Sequence, residues 1–281
     1  MEFIKLLKLR LSSSVLFSSL AGYLLAIDEY NPHDSAILIK LLIGGFGIVA
    51  CANGLNQVFE ADTDALMDRT KNRPLPRKTI TVPVALLFSL FLGIVGLFCL
   101  YLINLNCVIY SLVSLLIYVL GYTPMKFYSP LSGFIGAIPG AMPIMLGWLA
   151  LRNEFGWEPG IFFAIQFIWQ FPHFWAIAWV SDEDYKKAGF KLLPNGGGKN
   201  FSTAINIMTY TLILLPLGLL PTIFGITGLI SGFVAILCGV LFLIQTIHLI
   251  KDFSKKSALR VMIGSFIYLP IVQISYILDK I

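Results

Sequence analysis

Charged residues are scarce in this chain of 281 residues: Asp, Glu, Lys and Arg make up 12% of it, whereas apolar residues make up 57%. An ordinary soluble domain has about 25% charged residues, because its surface faces water. Because so few charges cannot cover a water-exposed surface, we expect the chain to be embedded in a lipid bilayer, which acts as its solvent. This composition excludes a secreted disulfide scaffold, a nucleic-acid-binding module and a cytosolic enzyme.

Cysteine is rare as well, and the pattern C-x-x-C does not occur. The four cysteines, all within apolar runs, are Cys51, Cys99, Cys107 and Cys238. The sequence therefore predicts neither a disulfide framework nor a zinc site, and buried free thiols are the simplest interpretation.

Long apolar runs dominate the remainder of the sequence. A transmembrane helix needs ~20 predominantly apolar residues. Runs of this kind cover residues 11–27, 37–59, 82–103, 105–121, 131–150, 160–180, 203–221, 223–249 and 258–278. They predict an all-α polytopic membrane protein with nine transmembrane helices in a single domain, residues 1–281. Prolines inside the runs, such as Pro139, Pro143 and Pro172, indicate kinked helices around a central cavity.

Basic residues lie mostly on one side of the predicted membrane. Seventeen of the twenty Lys and Arg residues are in the N-terminal segment or in the loops after the second, fourth, sixth and eighth runs, counting Arg260 at the start of the ninth run with the last of these loops. The other three are Lys40, Arg152 and Lys280. Because basic residues stay on the cytoplasmic face, we predict that the N-terminus is inside and the C-terminus outside. The net charge of +5 then needs no polyanionic partner.

A stripe of polar residues ends the second run, and basic residues follow it at once. The stripe consists of Asn56, Glu60, Asp64 and Asp68, and the basic residues are Arg69, Lys71 and Arg73. The spacing of four places the stripe on one face of a helix, where like charges repel unless a cation binds them. Oxygen ligands favour Mg²⁺, which proteins often bind through carboxylates and a substrate phosphate together. Basic residues can contact the same phosphate. The alternative is a solvated helix end.

Two further polar features fall on the same predicted side. Asp182, Glu183 and Asp184 follow the sixth run and could carry a second Mg²⁺ on a diphosphate. Solvated surface acids are the alternative. Lys126 is the sole charge of the third cytoplasmic loop; it could reach the same diphosphate or be an ordinary interfacial lysine.

These motifs resemble those of the UbiA-type intramembrane prenyltransferases, whose first motif is N-x-x-x-D-x-x-x-D followed by R-T-x-x-R-P-L. Here the pattern reads Asn56, Glu60 and Asp64, then the segments 69–70 and 73–75, with Glu60 in place of the usual aspartate. The second D-x-x-x-D of the family is absent, because Val180 and Ala188 flank Asp184 at that spacing. The resemblance implies nine helices around a cavity that opens near the cytoplasmic side.

Within the family, segments 122–126, 136–148 and 169–194 are most similar to the branch that farnesylates haem. This implies farnesyl diphosphate and protohaem IX as substrates, haem O as product and Mg²⁺ as cofactor in the bacterial cytoplasmic (inner) membrane. Haem-handling or oxidase-assembly proteins would be partners of that activity. The implied ligands of the metal are Asn56, Glu60 and Asp64, with Asp182 and Asp184 for a second ion.

The implied contacts of the diphosphate come from Arg10, Arg69, Arg73 and Lys126. Arg10 enters because the family's K-P-R reads Lys8-Leu9-Arg10 here. His173 is the only histidine predicted well inside a span, since His33 lies in a loop and His248 at the end of the eighth run. We expect it either to bind haem or to pack against a neighbouring helix.

Two other functions remain open at this stage. A prenyltransferase acting on an aromatic quinone precursor would share the same motifs. A secondary transporter would also carry ionisable groups in its helices, but it typically places them near the middle of the membrane. The acids here lie at helix ends beside arginines, which favours a diphosphate site.

Overall fold

Nine long helices build the computed structural model, which describes residues 2–28, 32–194 and 198–281, and each is apolar enough to cross a membrane. They are α1 (Leu9–Ala26), α2 (Pro32–Phe59), α3 (Val82–Tyr101), α4 (Leu105–Met125), α5 (Ser132–Arg152), α6 (Trp157–Val180), α7 (Phe201–Ile223), α8 (Leu229–Asp252) and α9 (Lys255–Leu278). The predicted all-α polytopic architecture is confirmed.

The start of α8 shows the largest difference from the predicted spans. The run was expected to begin at residue 223, but α7 continues to Ile223 and residues 224–228 form a turn. Gly225 in this turn has φ +69°, a conformation that glycine adopts without the cost of a Cβ. Hydropathy does not detect such a turn, because its residues are themselves apolar or small.

Short helices occupy the predicted cytoplasmic end of the bundle. Glu2–Leu6 precedes α1, Ala61–Leu66 follows α2, and Asp182–Lys187 follows α6. All three lie beside loops that carry the basic residues, so the polar chemistry of the chain is concentrated at this end.

Close contact between α1 and α5 depends on glycine. A Cβ on Gly22 would lie 1.8 Å from the carbonyl oxygen of Ile144, and a Cβ on Gly147 would lie 2.0 Å from that of Ser19. Membrane helices associate through small residues of this kind, which allow their backbones to approach. The pairing holds α1 beside α5 at the centre of the bundle.

Side-chain amides join α6 to α5 inside the membrane. Gln166 Nε2 donates to the carbonyl oxygen of Gly140 at 2.8 Å, and Gln170 Nε2 donates to that of Ala137 at 2.9 Å. Pro139 lies between these two carbonyls in α5. Each amide thus adds a hydrogen bond between the two helices, as polar side chains do between helices in a membrane.

Ion pairs close the opposite end of the bundle. Asp28, just after α1, pairs with Arg152 at the end of α5 and with Lys280 after α9. Arg152 Nε also donates to the carbonyl oxygen of Ala26 at 2.8 Å. This bond satisfies one of the carbonyls at the end of α1 that have no partner within the helix. Two of the three basic residues predicted to lie outside therefore hold helix ends together.

Candidate active site

A polar pocket of about 130 Å³ lies at the predicted cytoplasmic end. Its charged lining consists of Lys8, Glu60, Asp64, Arg69, Arg73 and Lys126. Four basic groups face two carboxylates, which gives the lining a formal charge of +2. A pocket with this excess of positive charge is suited to an anion that carries several negative charges.

Three members of the predicted stripe face this pocket. Asn56, Glu60 and Asp64 are 2%, 4% and 0% exposed and all contribute to its lining. The helix changes direction at Glu60, yet the Glu60 amide still donates to the Asn56 carbonyl and the Asp64 amide to the Glu60 carbonyl, so the spacing of four is kept. Asp68 departs from the stripe, because the short helix ends at Leu66.

Asp68 instead lies on the surface and pairs with two lysines. Its carboxylate oxygens accept from Lys71 Nζ and Lys187 Nζ, each at 2.6 Å. These two ammonium groups lower the pKa of Asp68 to about 2. The predicted stripe of four is therefore wrong for its last member.

Each pocket carboxylate already has a basic partner. Arg73 Nη1 lies 2.6 Å from Asp64 Oδ2, and Lys126 Nζ forms a short ion pair with Glu60. Lys8 Nζ donates to Asn56 Oδ1 at 3.0 Å. The other oxygen of Asp64, Oδ1, is buried and accepts no hydrogen bond from the residues that the structure describes. A buried, unpartnered carboxylate oxygen marks a place where a cation would be stabilising.

A turn after the stripe brings Arg73 back to Asp64. The buried Thr70 hydroxyl donates to the carbonyl oxygen of Asp64 at 2.8 Å, and the Thr70 amide donates to that of Met67. The Arg73 amide then donates to the Thr70 carbonyl at 2.9 Å. Thr70 thus positions the arginine and does not line the pocket itself.

The second acidic cluster lies outside the lining of this pocket. Asp184 accepts from the backbone amides of Asp68 and Arg69, both at 3.1 Å. Asp182 pairs with Lys186 at 2.9 Å and lies 3.6 Å from Lys199. Neither residue lines the polar pocket, and the carboxylates of both predicted ligands of a second ion bond groups of the surrounding loops.

Lys8 occupies the place that the sequence assigned to Arg10. Arg10 is exposed on the first turn of α1 and does not line the pocket, whereas Lys8 does. The backbone of Lys8 is left-handed, with φ 47° and ψ 55°, and α1 begins after it. Burial, followed by repulsion from Arg73, lowers the pKa of Lys8 to about 7. Of the three residues 8–10, the structure places Lys8 in the lining of the pocket and leaves Arg10 outside it.

Aromatic side chains form one wall of the pocket. Tyr118 and Tyr122 lie on a π-helical segment of α4, Ile117–Tyr122, with ring centroids 5.3 Å apart. Pro124 lacks an amide hydrogen, which breaks regular α-helical bonding just before it. Gly136 of α5 makes room for Tyr122, since a Cβ there would lie 2.7 Å from the ring. The sequence did not predict that these two tyrosines line the site, although Tyr122 begins the segment 122–126 and Pro124 signals the irregular helix.

An apolar cavity of about 240 Å³ continues from this wall into the bundle. It shares Tyr118 and Tyr122 with the polar pocket and is lined by α1, α2, α4 and α5, with Phe174 from α6. A polar, positively charged pocket therefore lies next to an apolar one. This arrangement suits a ligand with an anionic head and an apolar tail.

The model of the UbiA prenyltransferase family matches residues 15–269. This chain belongs to the UbiA prenyltransferase family. The resemblance inferred from the motifs is thereby confirmed.

Curated UbiA relatives match this chain over nearly its full length. The protoheme IX farnesyltransferase of Cytophaga hutchinsonii is 55% identical, over 99% of this chain and 97% of the relative. The protoheme IX farnesyltransferase of Flavobacterium psychrophilum is 45% identical, over 99% of this chain and 94% of the relative.

Solved structures share the UbiA fold at low sequence identity. One, described as digeranylgeranylglyceryl phosphate synthase, has a TM-score of 0.81 and 22% identity, covering 99% of this chain and 97% of the other. A UbiA homologue from Archaeoglobus fulgidus bound to GPP and Mg²⁺ has a TM-score of 0.67 and 15% identity, covering 99% of both chains. These similarities confirm the fold of this UbiA prenyltransferase as a multi-pass membrane protein.

His173 of this UbiA prenyltransferase packs between α6 and α9, outside the lining of both cavities. Its Nδ1 lies 2.7 Å from Ser265 Oγ, and its ring stacks on Trp169 at 4.5 Å. Ser265 Oγ donates its only hydrogen to the Met262 carbonyl at 2.6 Å, so it accepts from Nδ1–H. Nε2 is therefore the nitrogen with the free lone pair.

Removing the Asp184 carboxylate is expected to loosen the loop that carries Arg69. In Asp184→Ala the amides of Asp68 and Arg69 lose their charged acceptor, which is worth about 1.5–3 kcal/mol. We expect hydrogen exchange in residues 67–73 to accelerate about 10–100-fold, as measured by mass spectrometry of that segment. Glu183→Ala removes a neighbouring exposed acid and is the control; equal protection in both variants would contradict the contact.

Proposed function

We propose that this prenyltransferase transfers the farnesyl group of farnesyl diphosphate to a vinyl group of protohaem IX, with addition of water, to give haem O. The donor half rests on one observation: the pocket with an excess of positive charge adjoins the apolar cavity, with which it shares Tyr118 and Tyr122. The acceptor half rests on the similarity to relatives named protoheme IX farnesyltransferase.

The oxygen atoms of the stripe fit a hard divalent cation. The buried Oδ1 of Asp64 has no partner in the described part of the chain, and Glu60 and Asn56 contribute further oxygens to the same pocket. We propose that these three residues hold Mg²⁺, which would neutralise negative charge on the diphosphate as it leaves. The described residues contain no group of three His, Cys, Asp or Glu side chains suited to a metal. The proposed set has two carboxylates and one amide.

Basic side chains of the pocket stabilise the departing diphosphate. The allylic C–O bond breaks with its electron pair on the diphosphate, so positive charge fixed beside it favours the reaction. Arg73 and Lys126 pair with Asp64 and Glu60 in the structure and would turn toward the diphosphate when it binds. Arg69 and Lys8 complete the positive wall.

The aromatic wall has a complementary task. Tyr118 and Tyr122 lie where the polar pocket meets the apolar cavity, which is where the allylic carbon of a bound donor would lie. Their rings exclude water and stabilise positive charge through their π faces. Lys126 Nζ already lies 4.6 Å from the centre of the Tyr122 ring.

The acceptor reacts through the electron pair of its vinyl group. That pair forms the new bond to the allylic carbon, and water then adds to the resulting haem-side cation and releases a proton. We propose His173 as the residue that binds the haem iron of the substrate. Its support is the Nδ1–H bond to Ser265, which leaves Nε2 as the basic nitrogen, the form of imidazole that ligates iron.

We also propose that the chain is a single domain in the bacterial cytoplasmic membrane, with the N-terminus inside and the C-terminus outside. Seventeen of the twenty basic residues then face the cytoplasm, together with the diphosphate pocket. Haem-handling or oxidase-assembly proteins would receive the product.

The purified protein with farnesyl diphosphate, haem and Mg²⁺ tests this function, with products identified by mass spectrometry. Haem carrying a hydroxyethylfarnesyl group is the expected product. Farnesylation of an aromatic quinone precursor with unmodified haem would reject the acceptor. Accumulation of a solute in sealed vesicles, with no covalent product from any acceptor, would instead favour a transporter.

A further inference from the structure

The apolar cavity continues into a second, deeper cavity of about 60 Å³. The two share lining residues from four helices: Val15 of α1, Ile48 and Val49 of α2, Ser114 of α4 and Pro139 of α5. They therefore form one apolar channel that leads away from the diphosphate pocket. We call this the tail channel.

The depth of the tail channel can be measured along α2. Asn56 lies in the polar pocket and Gly45 lines the deeper cavity. They are eleven residues apart in one helix, which corresponds to about 17 Å of axial distance. The extended twelve-carbon main chain of a farnesyl group is of comparable length.

Packed side chains close the deep end of the tail channel. One helical turn beyond its lining, each of the four helices contributes a buried residue to a single core cluster. Each buried residue lies four positions from a lining residue, on the side away from the diphosphate pocket. The pairs of lining and buried residues are Ser19 and Tyr23, Gly45 and Leu41, Ser111 and Cys107, and Leu146 and Ala150. The four buried residues are 1%, 0%, 0% and 3% exposed. The channel thus ends on a solid floor and does not open at the other side of the membrane.

Gly45 leaves the space above this floor open. Two neighbouring glycines of α2 are needed for packing, since a Cβ on Gly44 would lie 2.7 Å from Leu100 and a Cβ on Gly47 would lie 2.6 Å from the Leu92 carbonyl oxygen. A Cβ on Gly45 would have only the flexible side chain of Leu16 near it, at 3.3 Å. Helix packing therefore does not require glycine at position 45.

We propose that the floor of the tail channel selects the length of the prenyl donor, and that Gly45 is the residue that admits the third isoprene unit. A geranyl group, which is one isoprene unit shorter than farnesyl, stops short of the floor and leaves the deep cavity empty. A geranylgeranyl group, which is one unit longer, meets the core cluster. This inference rests on the proposed function and specifies its donor.

Gly45→Val tests the proposal, because its side chain enters the deep cavity. With geranyl, farnesyl and geranylgeranyl diphosphates as donors, we expect the ratio of kcat/KM for geranyl over farnesyl to rise at least tenfold. Leu146→Ala enlarges the same end and is expected to raise geranylgeranyl over farnesyl at least tenfold. Gly160→Val is the control: it lies outside both cavities, and a Cβ there meets no described atom within 4 Å.

The outcomes separate this inference from the function on which it rests. A wild-type protein that farnesylates haem, with unchanged donor preference in the folded variants, overturns the proposal and leaves the function intact. If Gly45→Val does not fold, the preference of Leu146→Ala decides. A wild-type protein that prenylates no haem overturns both.

Discussion

Asp64→Asn is expected to lower kcat/KM for farnesyl transfer about 1,000-fold, at the upper end of what one electrostatic contact contributes to a transition state. The carboxylate is fully buried, one oxygen pairs with Arg73, and the other has no partner among the described residues. The amide keeps the shape of the side chain but removes its charge and one of its two oxygens. The affinity for a divalent cation should fall with the activity.

Steady-state assays at several Mg²⁺ concentrations measure this effect, and thermal unfolding in detergent verifies that the variant is folded. Asp68→Asn is the matched control, because that aspartate is exposed, lies in the same segment and pairs only with lysines outside the pocket. We expect it to retain nearly full activity. Wild-type turnover by Asp64→Asn would refute the role assigned to the stripe.

Lys126→Met is expected to have the second large effect, lowering kcat about 100-fold or more by removing one charge beside the leaving diphosphate. It should also destabilise the protein by about 3–5 kcal/mol, because the buried Glu60 carboxylate loses its partner. These two consequences must be separated before the loss of activity can be interpreted.

The double variant Glu60→Gln with Lys126→Met separates them. It removes both buried charges, so we expect its melting temperature to recover toward that of the wild type while its activity remains low. Lys191→Met removes an exposed lysine outside the polar pocket and should leave both properties unchanged. Because Glu60 is itself a proposed metal ligand, the role of Lys126 is judged from the single variant, assayed below its melting temperature, where wild-type turnover would show that Lys126 serves the fold and not the diphosphate.

Features with local physical causes were predictable from the sequence. The nine spans follow from the length of apolar runs, because the bilayer sets the length of a helix that crosses it. The placement of Asn56, Glu60 and Asp64 on one face follows from the helical repeat, which survives the change of direction at Glu60.

Features that depend on loop paths were not predictable. The sequence did not reveal that Asp184, a predicted ligand of a second ion, accepts from two backbone amides of the turn after α2. Lys8 replaces Arg10 because of one left-handed backbone conformation. The floor of the tail channel is a property of four helices in contact, and no single stretch of sequence carries that information.

The most direct test of the central claim is a structure with Mn²⁺ and a non-hydrolysable farnesyl diphosphate analogue, in which the metal is located by its anomalous scattering. We expect a peak in contact with oxygens of Asn56, Glu60 and Asp64, with the diphosphate beside Arg69 and Arg73 and the tail in the channel. A metal at Asp182 or Asp184 alone, or a tail outside the bundle, would contradict the account.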